Sequence, residues 1–395
     1  MLLRSAILAL LVVAPCVWCA DTVAVLPLFN INAAIAPDLD WIGESAAESI
    51  HEALSSYGLL TLSRDDRVEV YRRLGVKPEV LLTRATVMKI GVTLDAGQVV
   101  FGDFTIDPAT DAAAALKSNV RIVIHVIDLK KLKEAQSFEQ DGMLETLGQM
   151  ETKLAWQVLH QVAPATGPAE DVFLRDRPAI RVDAMESYVR GLMATSPEQK
   201  TKFFGQAARL DDHFSQPNYE LGRMLFAKKD YHNAVPWLAR VTRADSHYME
   251  ASFQLGICKF YENDYDSAIR LFRMVSDEVP LNEVFNNLAA ALSRRNDASA
   301  AATFKKALDG DQGDPDYWFN YGYALWKLAQ YPQAADQFRA ALQRSPDDTE
   351  ATSFLGRALH SDPYKPGDTK TDNRERIKTL FEDSAYRQLQ AELKK

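Results

Sequence analysis

Residues Tyr321–Pro346 read YGYALWKLAQYPQAADQFRAALQRSP, and Leu255–Pro280 read LGICKFYENDYDSAIRLFRMVSDEVP. Both stretches mix aromatic bulk with near-absent side chains at fixed places. The small residues form a series: Gly222, Gly256, Ala289, Gly322 and Gly356 recur at spacings of 34, 33, 33 and 34. Leu221, Leu255, Leu288, Tyr321 and Leu355 precede them. Ala234, Ala268, Ala300 and Ala334 make a second series, and Leu238, Phe272, Phe304 and Phe338 a third. Tyr231, Tyr265 and Tyr331 mark a turn between helices, and Pro280 and Pro346 mark exits. The physical logic is shape. Paired helices approach closely only where one presents Gly or Ala, and large residues fill the space between pairs. No single pair buries its apolar stripe alone, so the units must stack.

This period and residue pattern resembles the tetratricopeptide repeat family. Full repeats are expected at about 215–248, 249–281, 282–314 and 315–348, a shortened one at 184–214, and one further first helix from Thr349 to His360. The third full repeat departs from the pattern, with Ala289 for Gly and shorter turns. The resemblance implies a superhelix that binds a protein or peptide in its concave groove. Family convention places the groove at set positions of each first helix. Here those positions hold Tyr219, Arg223, Phe226, Phe253, Ile257, Phe260, Asn286, Phe319, Tyr323, Trp326 and Arg357. Rings there can grip apolar side chains of a partner, and the two arginines can meet acidic groups. The competing reading is that individual rings only pack between helices.

The amino-terminal part reads differently. MLLRSAILALLVVAPCVWCA carries one basic residue, Arg4, and an apolar run too short to favour a membrane span, the pattern of a secretory signal over 1–20. Cleavage and export to the periplasm or cell envelope are expected, with a membrane anchor only if Cys16 is lipidated. Cys16 and Cys19 fall inside that segment, which leaves Cys258 as a small hydrophobe and no internal disulfide.

Over 21–163 strand and helix patterns alternate as β-α-β-α-α-β-β-β-α. TVAVLPLF and LLTLS read as strands, helices are expected near 41–54, 64–74 and 78–92, and QVVFGDFTI, NVRIVIHVIDL and EAQSFEQDG read as an antiparallel meander. The expected fold is therefore an α/β domain, a mixed sheet with packed helices, followed by an all-α repeat solenoid. VAVLPLFN, the helix WIGESAAESIHEAL and the strand ending at Ile127 and Asp128 are similar to the TolB-type amino-terminal domain. LKKLK replaces the usual Thr-Gly turn. That resemblance implies docking to an envelope protein and no catalytic group. Residues 164–182, with Pro164, Gly167, Pro168 and Pro178, read as a linker. Residues 361–395 read as a polar break and a last helix from Asn373. That helix could cap the stack, hang as a charged tail, or enter the groove of a neighbour.

Hydrophobic content of 47 % and charged content of 25 % describe a globular chain, and a net charge of −9 argues against nucleic-acid partners. No P-loop, G-x-G-x-x-G after a strand, H-E-x-x-H or G-x-S-x-G occurs, and no two of the seven histidines share a metal-ligand spacing. The expectation is a non-enzymatic protein without catalytic residues or cofactor. An unrecognised enzymatic site in the α/β domain is the alternative. The acidic turn Asp309, Asp311, Asp314 and Asp316 around Gly313 lacks the later glutamate of a calcium loop and reads as a solvated turn.

Overall fold

The computed structural model describes residues 22–33, 37–77, 80–107, 116–131, 133–134 and 137–382. The expected signal segment, Cys16 and the end of the expected last helix lie outside them. The β-branched run after Thr22 forms β1 (Val23–Val25) and, beyond Pro27, β2 (Phe29–Asn30). Helices α1 (Trp41–Ser56), α2 (Arg64–Leu74) and α3 (Arg84–Thr93) follow. Then come β3 (Gln98–Ile106), β4 (Asn119–Asp128), β5 (Lys133–Glu134) and β6 (Phe138–Met143). Helix α4 (Leu147–Val162) closes the unit. Strands β1 and β2 pair parallel to β3, while β3, β4 and β6 form the antiparallel meander.

Two local expectations change. LLTLS contributes only an isolated bridge, Val23 to Thr61. Ser63 stops it: the Ser63 hydroxyl accepts from the Asp66 N–H, Asp66 accepts from the Ser63 N–H, and this capping box starts α2 at once. The third helix begins at Arg84 rather than near Pro78, because the Thr83 hydroxyl caps it.

The expected linker is folded. It contains α5 (Glu170–Asp176), whose Phe173 is buried with its ring 5.8 Å from that of Tyr57, and Trp156 Nε1–H donates to Pro168 O. Its apolar residue finds a hollow between α1 and α4, so the stretch is anchored rather than free.

The rest is helical: α6 (Val182–Met193), α7 (Pro197–Leu210), α8 (Gln216–Ala227), α9 (Tyr231–Leu238), α10 (Tyr248–Tyr261), α11 (Tyr265–Glu278), α12 (Asn282–Arg294), α13 (Ser299–Gly310), α14 (Pro315–Lys327), α15 (Tyr331–Arg344) and α16 (Thr349–Leu359). One core joins both halves: Ile50, Leu54 and Leu154 share it with Tyr188, Phe204 and Leu221.

The small-residue series does the work expected of it. A Cβ at Gly256 would lie 2.7 Å from the Phe272 ring, and one at Gly222 would lie 2.6 Å from Leu238. Gly191 faces Phe204 in the same way, so the shortened first repeat keeps the rule. Gly356 has nothing within 4 Å, and among the described residues no second helix follows α16 to lie against it. The same repeat position should therefore respond with opposite signs. Gly256→Ala is expected to destabilise by about 1–3 kcal/mol through overpacking. Gly356→Ala is expected to stabilise by up to about 1 kcal/mol through helix propensity. Urea midpoints of the two variants check this; equal shifts would remove the close-approach explanation.

The helix expected from Asn373 does not form over residues 373–382. After Leu359 the chain makes turns and then runs as irregular backbone to Glu382. Its hydrogen bonds go elsewhere, to the groove.

Candidate functional site

The inner surface of the stack from α10 to α16 holds the chain's own residues 362–382. Two asparagine amides fix the backbone. Asn320 Oδ1 accepts from the Arg376 N–H at 2.8 Å, and Asn320 Nδ2 donates to the Arg376 carbonyl at 2.8 Å. Asn287 does the same for Lys378, with 2.9 Å to its N–H and 2.7 Å to its carbonyl. Each amide imitates one residue of a β-ladder, and the two residues gripped are two apart, the period of an extended strand. Asn286 adds a third amide: its Nδ2 donates to the Arg376 carbonyl, and its Oδ1 accepts from Asn320. All three asparagines are fully buried, as side chains of such polarity are only when their bonds are made. These bonds answer both backbone groups of Arg376 and of Lys378, groups that a helix would otherwise have to pair.

Side chains of the tail are held as firmly. The Arg376 guanidinium lies 3.6 Å from the Phe319 ring centroid and pairs with Asp316, Asp348 and Glu350 at 3.0, 2.7 and 3.3 Å. Lys378 Nζ meets Asp314 and Asp316 at 2.6 and 2.7 Å. Glu375 is buried, accepting from Ser293 Oγ at 2.6 Å and Arg294 Nε at 2.5 Å, with Lys327 3.8 Å away. Phe381 packs on Phe253 at 5.1 Å. Upstream, Tyr323 donates to the Thr371 carbonyl and Trp326 Nε1–H to the Asp362 carbonyl.

The charges shift one another. Burial pushes Asp316 up, but Lys378 and Arg376 outweigh it and hold the carboxyl below its ordinary value. Asp348 is lowered in the same way, burial opposing and the Arg376 hydrogen bond prevailing. Lys378 is raised, because Asp314 and Asp316 overcome its desolvation. Lys327 is lowered by burial, which the Glu375 charge only partly offsets.

The expected groove residues do not all lie in one place. Phe253, Asn286, Phe319, Tyr323 and Trp326 touch the tail as described. Ile257 and Phe260 are buried beneath, with the Arg294 guanidinium 5.0 Å over the Phe260 ring. Arg357 lies over Phe354 at 6.0 Å. Tyr219, Arg223 and Phe226 sit on α8, away from the described tail. Tyr219 stacks on His247 at 4.3 Å, Arg223 pairs with Glu220 at 2.7 Å, and Phe226 meets the Tyr231 ring. Sequence reasoning missed Asn287, Asn320, Ser293 and Arg294. A signal was present: Gln254, Asn287 and Asn320 stand two residues before the small-residue series, at spacings of 33. It also missed the use of the acidic turn, where Asp314 and Asp316 receive an ammonium group of the same chain, while Asp309 pairs with Lys305.

Comparison with known proteins follows this geometry. The tetratricopeptide repeat family matches residues 286–349 and 319–363. Among solved structures, YrrB, described as a TPR protein with an unusual peptide-binding site, is 17 % identical; the match covers 48 % of this chain and 92 % of that one, with a TM-score of 0.36. The MamA fragment 41-end from Desulfovibrio magneticus RS-1 is 20 % identical, with 42 % of this chain and 95 % of that one covered and a TM-score of 0.37. None of the curated proteins matches the chain. The α/β domain is thus followed by a helical solenoid in which residues 286–363 carry tetratricopeptide repeats.

Proposed function

We propose that the chain is a non-enzymatic scaffold whose concave groove takes an extended segment of a partner protein, and that residues 371–382 occupy it as an internal stand-in. The carrying observation is the pair of amides, Asn287 and Asn320, each gripping both backbone groups of one residue. They read backbone, so any extended segment can satisfy them. Specificity then comes from the acidic wall of Asp314, Asp316 and Asp348 and from the Ser293–Arg294 site. Those fit an acidic residue followed directly by a basic one, with a second basic residue two further on. A tethered tail competes at high local concentration, so a partner must bind more tightly or at more than one point.

The test uses the chain ending at Ser361 and a free peptide of residues 371–382. The shortened chain is expected to bind the peptide, and the full chain is not. An Arg376→Ala peptide should bind at least about tenfold more weakly, the worth of one charge-assisted hydrogen bond or more. A shortened chain with intact helical circular dichroism that ignores the peptide would remove the reading. Dimers of the full chain in light scattering, lost on shortening, would favour exchange of tails between neighbours.

We propose further that the chain is exported to the periplasm or cell envelope and that the α/β domain, with its TolB-type resemblance, docks an envelope protein. Residues 1–20 support this reading. Sequencing the amino terminus of the chain recovered from cell-envelope fractions tests it; an intact Met1 on chain found only in the cytoplasm would overturn it.

A further inference from the structure

Where α1 meets the solenoid, the turn between α9 and α10 carries Asp245, Ser246 and His247. Glu52 reaches this turn from α1 and accepts from the Ser246 N–H at 2.7 Å and from the Ser246 hydroxyl at 2.5 Å. One ligand atom each of Glu52, Asp245 and His247 lies within 4.8 Å of the other two. Asp245 Oδ1 accepts from the His247 N–H at 2.9 Å, which orients the carboxylate. Its other oxygen, Oδ2, is buried and has no hydrogen-bond partner among the described residues, although the side chain is fully enclosed. An unanswered carboxylate oxygen in such a place is costly, and a cation answers it. The Tyr219 ring, 4.3 Å from that of His247, fixes the imidazole plane. Glu52 and Asp245 also line a cavity of about 340 Å3, together with Glu48, Tyr188 and Phe214.

We propose that Glu52, Asp245 and His247 form a binding site for a divalent transition metal of the zinc class, which fastens the α/β domain to the repeat solenoid. Two carboxylates and one imidazole suit zinc or manganese better than calcium, which favours an all-oxygen shell. Three protein ligands leave a fourth position for water from the cavity. The ligands come from both halves of the chain, so metal binding would stabilise their union and not either half alone. Glu48 lines the same cavity without being one of the three ligands.

The experiment is calorimetric titration of zinc and, separately, manganese into the full chain stripped with a chelator, with thermal melting in parallel. One equivalent of metal is expected per chain, with a melting temperature that rises with metal concentration. Asp245→Asn keeps the oxygen that accepts from His247 and should weaken binding at least tenfold, and Glu52→Gln should do the same. Since either variant could disturb the seam, His360→Gln, exposed at the end of α16 and outside the cavity lining, serves as a control histidine that should leave affinity unchanged. Absence of stoichiometric binding in the full chain would overturn the site, as would binding untouched by both carboxylate variants in chains with native circular dichroism. A salt-bridged cluster, Glu52 and Asp245 around a protonated His247, is then all that the groups form.

Discussion

Arg376→Ala is expected to free the tail from the groove. The guanidinium is the only group facing Asp316, Asp348 and Glu350 together among the described contacts, and it also covers the Phe319 ring. Its removal takes from Asp348 its ion-pair partner, leaves Asp316 to Lys378 and Glu350 to Arg374, and exposes an aromatic face. Truncating one member of a largely enclosed ionic cluster costs about 2–3 kcal/mol, somewhat less than for a fully buried pair because water reaches part of it. Limited trypsin digestion reads the outcome. In the native chain Arg374 and Lys378 lie against the groove; in the variant both should be cut well before the solenoid. Unaltered resistance at those sites would show that the amides alone hold the segment.

The same cluster sets a pH dependence. Asp316 and Asp348 have lowered values in the folded chain, so their stabilisation is complete above the ordinary aspartate value of about 3.9. It disappears as pH falls through the lowered folded values. Lys378 is raised, so its contribution persists up to the ordinary lysine value of about 10.4 and fades above it. Docking should therefore be constant between pH 5 and pH 9 by these approximate limits. Release should come in acid below about pH 4. Tryptic or pepsin sensitivity across that range, with circular dichroism to follow the helices, tests the window.

The second large effect is expected from Phe338→Ala. This ring is fully buried, lies 5.6 Å from Phe319 and 5.8 Å from Phe354, and fills the space left by Gly322. A phenylalanine removed from such a place costs about 3–5 kcal/mol, while Phe338→Leu should cost less than about 1.5 kcal/mol. Each repeat contacts chiefly its neighbours, so the loss should concentrate in α14, α15 and α16. Phe319 forms the floor beneath Arg376, so the tail should loosen with them. Urea unfolding is then expected to split, with the carboxyl-terminal repeats melting first. A single transition shifted by less than 1 kcal/mol would contradict the central packing role of the third large-residue series.

Helix pairing was legible because its cause is periodic. Gly222, Gly256 and Gly322 return where one helix must lie against the next, and Leu238, Phe272 and Phe338 return as what lies there. A β-branched run such as NVRIVIHVID is legible for a like reason, since one face must alternate. The tail carries no such mark. Ile377, Leu380 and Phe381 have helical spacing, but spacing expresses only what a segment could bury on its own. Asn287 and Asn320 offered its backbone another set of partners, and that offer exists only once α12 and α14 stand side by side. Phe173 shows the same limit in the expected linker: one aromatic among prolines reveals nothing until the hollow beside Tyr57 is formed.

By itself, then, the order of residues determined a mixed-sheet unit followed by a long run of helices, and the register in which small and large residues return along that run, because each follows from local periodicity and side-chain volume. Tertiary structure alone decided what lies on that face, how the α/β unit joins the solenoid, and where the acidic turn spends its charge. Those outcomes depend on groups far apart in the chain, such as Arg376 and Asp316 or Glu52 and Ser246, whose meeting no period encodes.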